Sequence, residues 1–233
     1  MVKIVHVCDG IYRNDGDAGP KDVLFENQKL IRFMDKFYLR CDPEHLTAVE
    51  VSVLCAERAK DPSVVLGPNG DVRTIFKKYI SLLQPKRFLE IGAGNNPIFS
   101  GVEAQELGVA YSTCDADPKY ADLFSGQSSE LSYSDGFFDM ASAVFVLHFR
   151  FYEAQVSELF RCLANSGIFV ANVYWRSQES RKGLAKMFLD AGFSLSIVPD
   201  EQRICRDHEY WILGKRDSDV AEAGIKFREV LVS

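Results

Sequence analysis

The chain has 233 residues, 47% apolar and 26% charged, an ordinary composition for a globular protein that can bury a full core. Its net charge of -6 disfavours a nucleic-acid substrate, because proteins that bind one need a basic surface. No apolar run reaches the length of a membrane span and no apolar leader opens the chain, so we expect a cytoplasmic protein that binds no membrane. The six cysteines are scattered without Cys-x-x-Cys spacing, which indicates neither a metal site nor a disulfide framework.

The N-terminal part carries weak strand and helix signals. Residues 1–8 form a strand-like segment, followed by a loop rich in Gly and Asp. Residues 22–38 carry apolar side chains at close to helical spacing, which predicts a helix. Asp42, with proline next to it, is typical of the start of a second helix. We therefore expect an N-terminal helical cap over residues 1–70 and a core domain over residues 71–233.

The core domain alternates between apolar runs and amphipathic segments. Such alternation produces a parallel sheet with helices on both faces, so the sequence predicts an α/β fold. The expected strands lie near residues 88–92, 110–115, 140–145, 168–173, 193–198 and 210–215, and the expected helices near residues 71–83, 97–106, 151–164 and 178–191.

The most informative segment of the core is an apolar run that ends in Glu90, Gly92 and Gly94. A buried strand is predicted to stop there, and a helix to begin at Pro97, a residue suited to a first helical position. Glycines let the backbone approach a ligand closely, and open amides at a helix start attract a carboxylate or phosphate. Asp115 follows one strand–helix unit later, at a spacing that suits an acid receiving ribose hydroxyls. The pattern predicts an adenosyl ligand.

Two other nucleotide-binding loops fit this segment poorly. A dinucleotide fingerprint needs a third glycine, and Pro97 occupies that position. A P-loop needs Gly-Lys-Ser/Thr, which does not follow. An ordinary tight turn in an α/β protein is the simple alternative.

Further segments extend the pattern in order along the chain. They are TCDADP at residues 113–118, GQSSELSYSDGFFDM at 126–140, ASAVFVLH at 141–148 and LANSGIFVAN at 163–172. Together with the glycine segment they resemble the motifs of class I S-adenosylmethionine-dependent methyltransferases. The resemblance implies a Rossmann-like, seven-stranded, mostly parallel sheet that ends in an antiparallel hairpin. It also implies S-adenosylmethionine as the cofactor.

The methionine end of the cofactor is assigned from this resemblance. Glu90 would orient the methionine amino group, although a solvated acid at the strand end is the alternative. Asn95 would bind the methionine carboxylate or merely stabilise the turn. Ala143 would offer a backbone carbonyl to the amine. The backbone that passes beside the methionine is that of Gly92, Ala93 and Gly94.

The adenosyl end is assigned in the same way. Asp115, with Ala116 beside it, would accept from both ribose hydroxyls. Gln127 and Ser128 occupy the position at which the family recognises adenine, where an amide side chain can accept from the exocyclic amine. Phe145 would cover the adenosyl group.

Five residues are predicted to face the methyl acceptor. His148 lies at the exit of the fourth strand and suits a base near neutral pH, or is simply a packed histidine. Tyr174, a second candidate for catalysis, and Trp175 follow the fifth strand and would hold the acceptor or form a pocket wall. In the cap, Phe33 and Tyr38 would suit an apolar or aromatic acceptor, or pack the cap onto the core.

One segment departs from the family pattern. Only residues 119–125 separate the ribose loop from the adenine segment, where the family usually has a helix and a third strand. A short edge strand around residues 122–125 fits this length. The wall on the adenine side is therefore the part of the site least supported by the resemblance.

These observations predict a methyltransferase that acts on oxygen or nitrogen of a small molecule, as a monomer or homodimer. One alternative keeps the cofactor but transfers or cyclises its aminocarboxypropyl arm, which releases methylthioadenosine. The other alternative is a non-catalytic binding module.

Overall fold

Two β-sheets organise the chain in a computed structural model. One is a five-stranded sheet near the N-terminus and the other is a seven-stranded sheet in the remainder of the chain. None of the helices in the described part of the chain is long and apolar enough to cross a lipid bilayer. The structure describes residues 2–17, 19–34, 36–58, 60, 68–117, 119, 121–124, 126, 129–200 and 208–232.

The N-terminal sheet is antiparallel throughout, with the order β1-β2-β5-β4-β3. Its strands are β1 (Ile4–Cys8), β2 (Ile11–Asn14), β3 (Asp22–Phe25), β4 (Gln28–Phe33) and β5 (Phe37–Leu39). A 3₁₀ turn at Pro43–His45 and helix α1 (Ala48–Arg58) follow.

The helix expected over residues 22–38 is wrong, and with it the all-helical cap. Glu26 and Asn27 both have positive φ, 48° and 63°, the geometry of a two-residue hairpin turn that no helix can contain. The apolar spacing favoured a helix because spacing takes no account of residue type. Val23 and Ile31 are β-branched residues, which favour strands. The segment forms β3, β4 and β5 instead.

The core sheet has the strand order β11-β12-β10-β9-β6-β7-β8. The pairings from β10 to β8 are parallel, whereas β12 pairs antiparallel with both β10 and β11. The strands are β6 (Arg87–Ile91), β7 (Ala110–Asp115), β8 (Asp122–Leu123), β9 (Phe138–Ala143), β10 (Leu163–Val173), β11 (Ser194–Pro199) and β12 (Glu209–Gly214). The helices are α2 (Pro68–Leu83), α3 (Gly101–Glu106), α4 (Glu153–Cys162), α5 (Gln178–Asp190) and α6 (Asp217–Val232).

Helices cover both faces of this sheet. Alternate residues of a strand point to opposite faces, so Phe88 packs in a cluster with α2, α3 and α6, while its neighbour Leu89 packs in a second cluster with α4 and α5. The predicted α/β fold is confirmed.

Two helices differ from the expectation. Helix α3 begins after Ser100, not at Pro97, because the Ser100 hydroxyl and the Glu103 carboxylate form a capping box there. Helix α6 was not predicted at all. It packs against the sheet and against α2, where the Tyr79 hydroxyl donates to the Ala223 carbonyl at 2.9 Å.

Arg176 attaches the N-terminal part to the core. Its guanidinium donates to the carbonyls of Leu147 and Phe149, and it also contacts the carboxylate of Glu44. Only 6% of the Arg176 side chain is exposed. The N-terminal segment is therefore held directly over the ends of β9 and β10. The domain boundary at residue 70, which falls inside α2, stays a prediction.

Candidate functional site

The candidate site lies at the carboxyl ends of β6, β7 and β9. Strand β6 is flanked by β7 on one side and by β9 on the other, so the chain connections leave it in opposite directions. In open α/β sheets such a reversal leaves a crevice beyond the strand ends, and ligands bind there. The glycine segment enters this crevice directly from β6.

Gly92 turns the chain at the end of β6. Its φ is +75°, and its amide donates to the Cys114 carbonyl at 2.7 Å. A β-carbon at this position would lie 2.2 Å from Cγ2 of Val146, so no larger residue fits without movement. Gly94 repeats the left-handed conformation with a φ of +54°.

Glu90 is the buried acid at the base of this turn, with 1% of its surface exposed. Its Oε2 accepts from the Ile98 amide at 2.8 Å and from the Tyr111 hydroxyl, and Arg73 lies 3.5 Å from Oε1. Burial raises the pKa of Glu90, and these three donors oppose that rise. The alternative of a solvated acid is therefore wrong. The contact with a methionine amine stays a prediction.

Asp115 closes the other side of the glycine turn. Its Oδ2 accepts from the Gly94 amide at 2.9 Å, and its Oδ1 accepts from the Asp117 amide at 2.9 Å. Burial raises the pKa of Asp115, while these backbone donors lower it. Asp117 stabilises the turn itself, because its carboxylate accepts from the Lys119 amide at 3.0 Å. Gly94 and Asp115, which belong to separate sequence motifs, are therefore in contact in the structure.

An inner cavity of about 90 Å³ lies beside this contact. Pockets for small molecules measure roughly 300–1,000 Å³, so the inner cavity must widen before it can hold an adenosyl ligand. Helix α1 lines one side of this cavity through Val51 and Cys55. Further lining residues include Gly92, Asp115, Ala116, Phe145 and Val146.

Phe145 follows β9 and adopts a left-handed conformation, with a φ of +61°. Such a conformation is strained for a bulky residue and needs support from its surroundings. Asn172 of β10 supplies it, because its Oδ1 accepts from the Phe145 amide at 2.7 Å. This turn also explains why β9 ends at Ala143, earlier than predicted.

A second space, an outer groove of about 1,100 Å³, lies beside Tyr174 and His208. Phe145 lines the inner cavity, and its ring centroid lies 5.5 Å from that of Tyr174 and 5.9 Å from that of His208, both of which line the groove. Phe145 therefore connects the lining of the inner cavity to that of the outer groove through these ring contacts. The outer groove is lined by residues that include Tyr174, Trp175, Arg181, Asp200, His208 and Glu209.

His148 is completely buried and lines neither space. Its ring packs between Phe33, Phe149 and Tyr174, with centroid distances of 5.7, 3.9 and 4.6 Å. Neither ring nitrogen has a hydrogen-bond partner among the described residues. Burial lowers the pKa of His148 well below its usual value, and nearby Arg58 lowers it further, so the ring is neutral.

Of the remaining predicted residues, some lie near the two spaces and others do not. Phe33 of β4 lines neither space, but it contacts Trp175 of the groove edge-on, with a centroid distance of 5.4 Å. Tyr38 does not reach it, because its ring packs within the N-terminal sheet and its hydroxyl donates to the Pro20 carbonyl at 2.9 Å. Asn95 is exposed on the glycine turn. Ala93 and Ala143 are buried, and the predicted adenine contacts Gln127 and Ser128 lie outside the described residues.

Sequence reasoning missed four residues of the site. Val51 and Cys55 belong to α1, whose position depends on how the N-terminal part folds back. Asn172 carried a signal, since a lone amide in the apolar run of residues 168–173 must have a buried partner. His208 carried none, because it lies just before a strand and far from every motif. In the described ranges no group of three or more His, Cys, Asp or Glu side chains is placed to hold a metal ion.

The steric role of Gly92 is open to a direct test. Gly92→Ala should destabilise the fold by about 1–3 kcal/mol more than Gly108→Ala, because overpacking adds that much to the cost of a left-handed alanine. Gly108 is the matched control, since its φ is +68° and no heavy atom lies within 4 Å of its β-carbon position. Urea unfolding measures the free energy of unfolding of both variants, and equal decreases would contradict the steric argument.

Comparisons with known proteins agree with this geometry at the level of the fold. No protein-family model and no curated protein matches the chain. A TehB-like S-adenosylmethionine-dependent methyltransferase from Corynebacterium glutamicum matches with 14% identity, 71% of this chain and 98% of that chain covered, and a TM-score of 0.51. The 1,6-didemethyltoxoflavin-N1-methyltransferase from Burkholderia thailandensis matches with 15% identity, 83% and 97% covered, and a TM-score of 0.49.

A methyltransferase from Aquifex aeolicus matches with 13% identity, 72% and 97% covered, and a TM-score of 0.44. At such identities a likeness shows the fold alone, and the Corynebacterium structure carries that conclusion. The predicted resemblance to S-adenosylmethionine-dependent methyltransferases is thus confirmed as a resemblance of fold.

Proposed function

We propose that the protein binds S-adenosylmethionine in the inner cavity and transfers its methyl group to oxygen or nitrogen of a small molecule. The observation that carries the proposal is the contact between Asp115 and Gly94 at the mouth of β6 and β7. A carboxylate and a turn in which Gly92 and Gly94 lack β-carbons meet there, which suits a ribose diol beside an amino-acid chain.

The donor set of the inner cavity fits this cofactor. Each carboxylate oxygen of Asp115 accepts one backbone N–H and keeps a further lone pair, which can accept from a ribose hydroxyl. The backbone of Gly92 lines the cavity where the methionine chain would pass, and the ring of Phe145 can cover the adenosyl group. Entry requires α1 to move outward, because Val51 and Cys55 occupy part of the space.

The cofactor, when bound, supplies a methyl group on a positively charged sulfur. The protein's part is to hold the acceptor in line with that methyl group and to exclude water. The ring of Phe145 contacts the groove residues Tyr174 and His208, so this ring would have to turn aside for an acceptor in the groove to reach the methyl group. Tyr174 and Trp175 form the aromatic wall of the groove, which suits a small planar acceptor.

Asp115→Ala should weaken the binding of S-adenosylhomocysteine roughly tenfold to a hundredfold, because hydrogen bonds to a charged group contribute about 1.5–3 kcal/mol. Isothermal titration calorimetry measures the affinity. Asp117→Ala is the control, since its carboxylate contacts only the turn, and it should bind nearly as well as the wild type. Equal affinities in all three proteins would show that Asp115 does not bind the ribose.

The product identifies which reaction the protein catalyses. Incubation with S-adenosylmethionine and a panel of phenols and heteroaromatic amines should leave S-adenosylhomocysteine, identified by mass spectrometry. Methylthioadenosine instead would show transfer of the aminocarboxypropyl arm. Failure to bind S-adenosylhomocysteine in the calorimeter would favour a non-catalytic module and overturn the proposal.

His148 is proposed as the base, reached when the acceptor displaces part of the ring cluster around it. His148→Gln should then lower kcat at least tenfold, since general bases contribute roughly 10²–10⁴-fold, and leave the affinity for S-adenosylhomocysteine unchanged. His45→Gln, at an exposed position, is the control. Wild-type turnover in His148→Gln would assign the histidine to packing alone.

A further inference from the structure

The carboxylate of Glu44 joins the N-terminal part, here called the cover (residues 2–58), to the core. It contacts the Arg176 guanidinium and the Ser180 hydroxyl, and Nη1 of Arg176 also donates to that hydroxyl at 2.6 Å. Ser180 lies in the first turn of α5, where the partial positive charge of a helix start favours a carboxylate. Only 17% of the Glu44 side chain and 6% of the Arg176 side chain are exposed, so this ion pair is largely shielded from water.

Arg176 is fixed on the core side by backbone carbonyls. Its Nε donates to the Leu147 carbonyl at 2.5 Å, and its Nη2 donates to the Phe149 carbonyl at 2.7 Å. Phe149 itself lines the inner cavity and packs against apolar residues of the cover. Two sides of the guanidinium are therefore bound to the core, and its Nη1 contacts Glu44. When the pair separates, Arg176 stays with the core and Glu44 leaves with the cover.

Glu44 is connected rigidly to the wall of the inner cavity. It lies in the 3₁₀ turn just before α1, and the chain continues from it through Leu46, which lines the cavity, into α1. The Glu50 carboxylate fixes this junction, because it accepts from the Thr47 amide at 2.7 Å and from Nη2 of Arg40 at 2.7 Å. A displacement of Glu44 therefore moves α1 with it.

We propose that the ion pair between Glu44 and Arg176 is a latch, whose release lets the cover move α1 away from the inner cavity while the core stays folded. The inner cavity of about 90 Å³ is smaller than an adenosyl ligand requires, so the closed cover excludes such a ligand. Release of the latch thereby sets the rate at which the cofactor enters. The statement about entry rests on the proposed function, whereas the movement of the cover does not.

Two cysteines distinguish movement of the cover from unfolding of the core. Cys55 of α1 lines the inner cavity, and burial raises the pKa of its thiol to about 11, so it should react slowly while the cover is closed. Cys162 of α4 is completely buried in the core and becomes accessible when the core unfolds. The two labelling rates therefore report local opening and global unfolding separately.

Glu44→Gln should raise the rate at which fluorescein-5-maleimide, a reagent too large for the inner cavity, labels Cys55 by roughly tenfold or more. The physical reason is that loss of one partner leaves the other charge of a buried ion pair unpaired. Labelling of Cys162 should stay at the wild-type rate. Mass spectrometry of the digested protein gives each rate. An unchanged rate at Cys55, or an equal rise at both cysteines, would overturn the latch.

Glu57→Gln is the matched control for this experiment. The Glu57 carboxylate pairs with Arg13 inside the cover, its side chain is 17% exposed like that of Glu44, and it lies close to Cys55 on α1. The variant removes the same charge from a contact between two elements of the cover, so Cys55 should react as in the wild type. A rise equal to that in Glu44→Gln would show that local charge governs the reactivity of the thiol, and would refute the latch.

Entry of the cofactor is tested by stopped-flow binding of S-adenosylhomocysteine. The association rate constant should be roughly tenfold higher in Glu44→Gln than in the wild type, because more of the protein is open, and unchanged in Glu57→Gln. Equal rate constants in all three proteins would show that the latch does not limit entry. Failure of S-adenosylhomocysteine to bind any of them would overturn the proposed function instead, and the labelling of Cys55, which needs no ligand, would still decide whether the latch holds the cover.

Discussion

The site depends on one buried carboxylate, that of Glu90. A charged group in the interior is stable only with donors around it, and Glu90 takes them from three places: Arg73 on α2, Tyr111 on β7 and the Ile98 amide beyond the glycine turn. These contacts tie both ends of the turn to the same strand end. The turn thereby keeps the shape in which Gly94 meets Asp115, and with it the geometry expected to bind an adenosyl ligand.

The N-terminal part contributes as a cover for this site. The ion pair between Glu44 and Arg176 is largely withdrawn from solvent, and it holds the segment over the ends of β9 and β10. Phe33 and α1 thereby come to lie against the core, and α1 narrows the inner cavity to a volume smaller than a nucleoside requires. The cover therefore closes one side of the inner cavity.

Some features of the fold and site follow from local sequence. The glycine segment has a recognisable sequence pattern: a buried strand ends, a turn needs left-handed backbone, and an acid follows one strand–helix unit later. The hydrogen bond between Gly94 and Asp115 confirms that the turn and the acid lie together. Helix α3 shows the limit of such signals, because the capping box at Ser100 outweighed the proline at residue 97. For residues 22–38 the apolar spacing favoured a helix, but the turn at Glu26 and Asn27 determined the outcome.

The sequence by itself determined the α/β class, the glycine turn and the acid that faces it, because each depends on residues close together in the chain. Only the tertiary structure decided which side chains surround them. Asn172 and His208 are 36 positions apart, and their contact exists because β12 pairs with β10. His148 and Phe33 meet because the N-terminal sheet folds over the strand ends. Burial and pairing between distant segments are properties of the folded chain, and no local pattern records them.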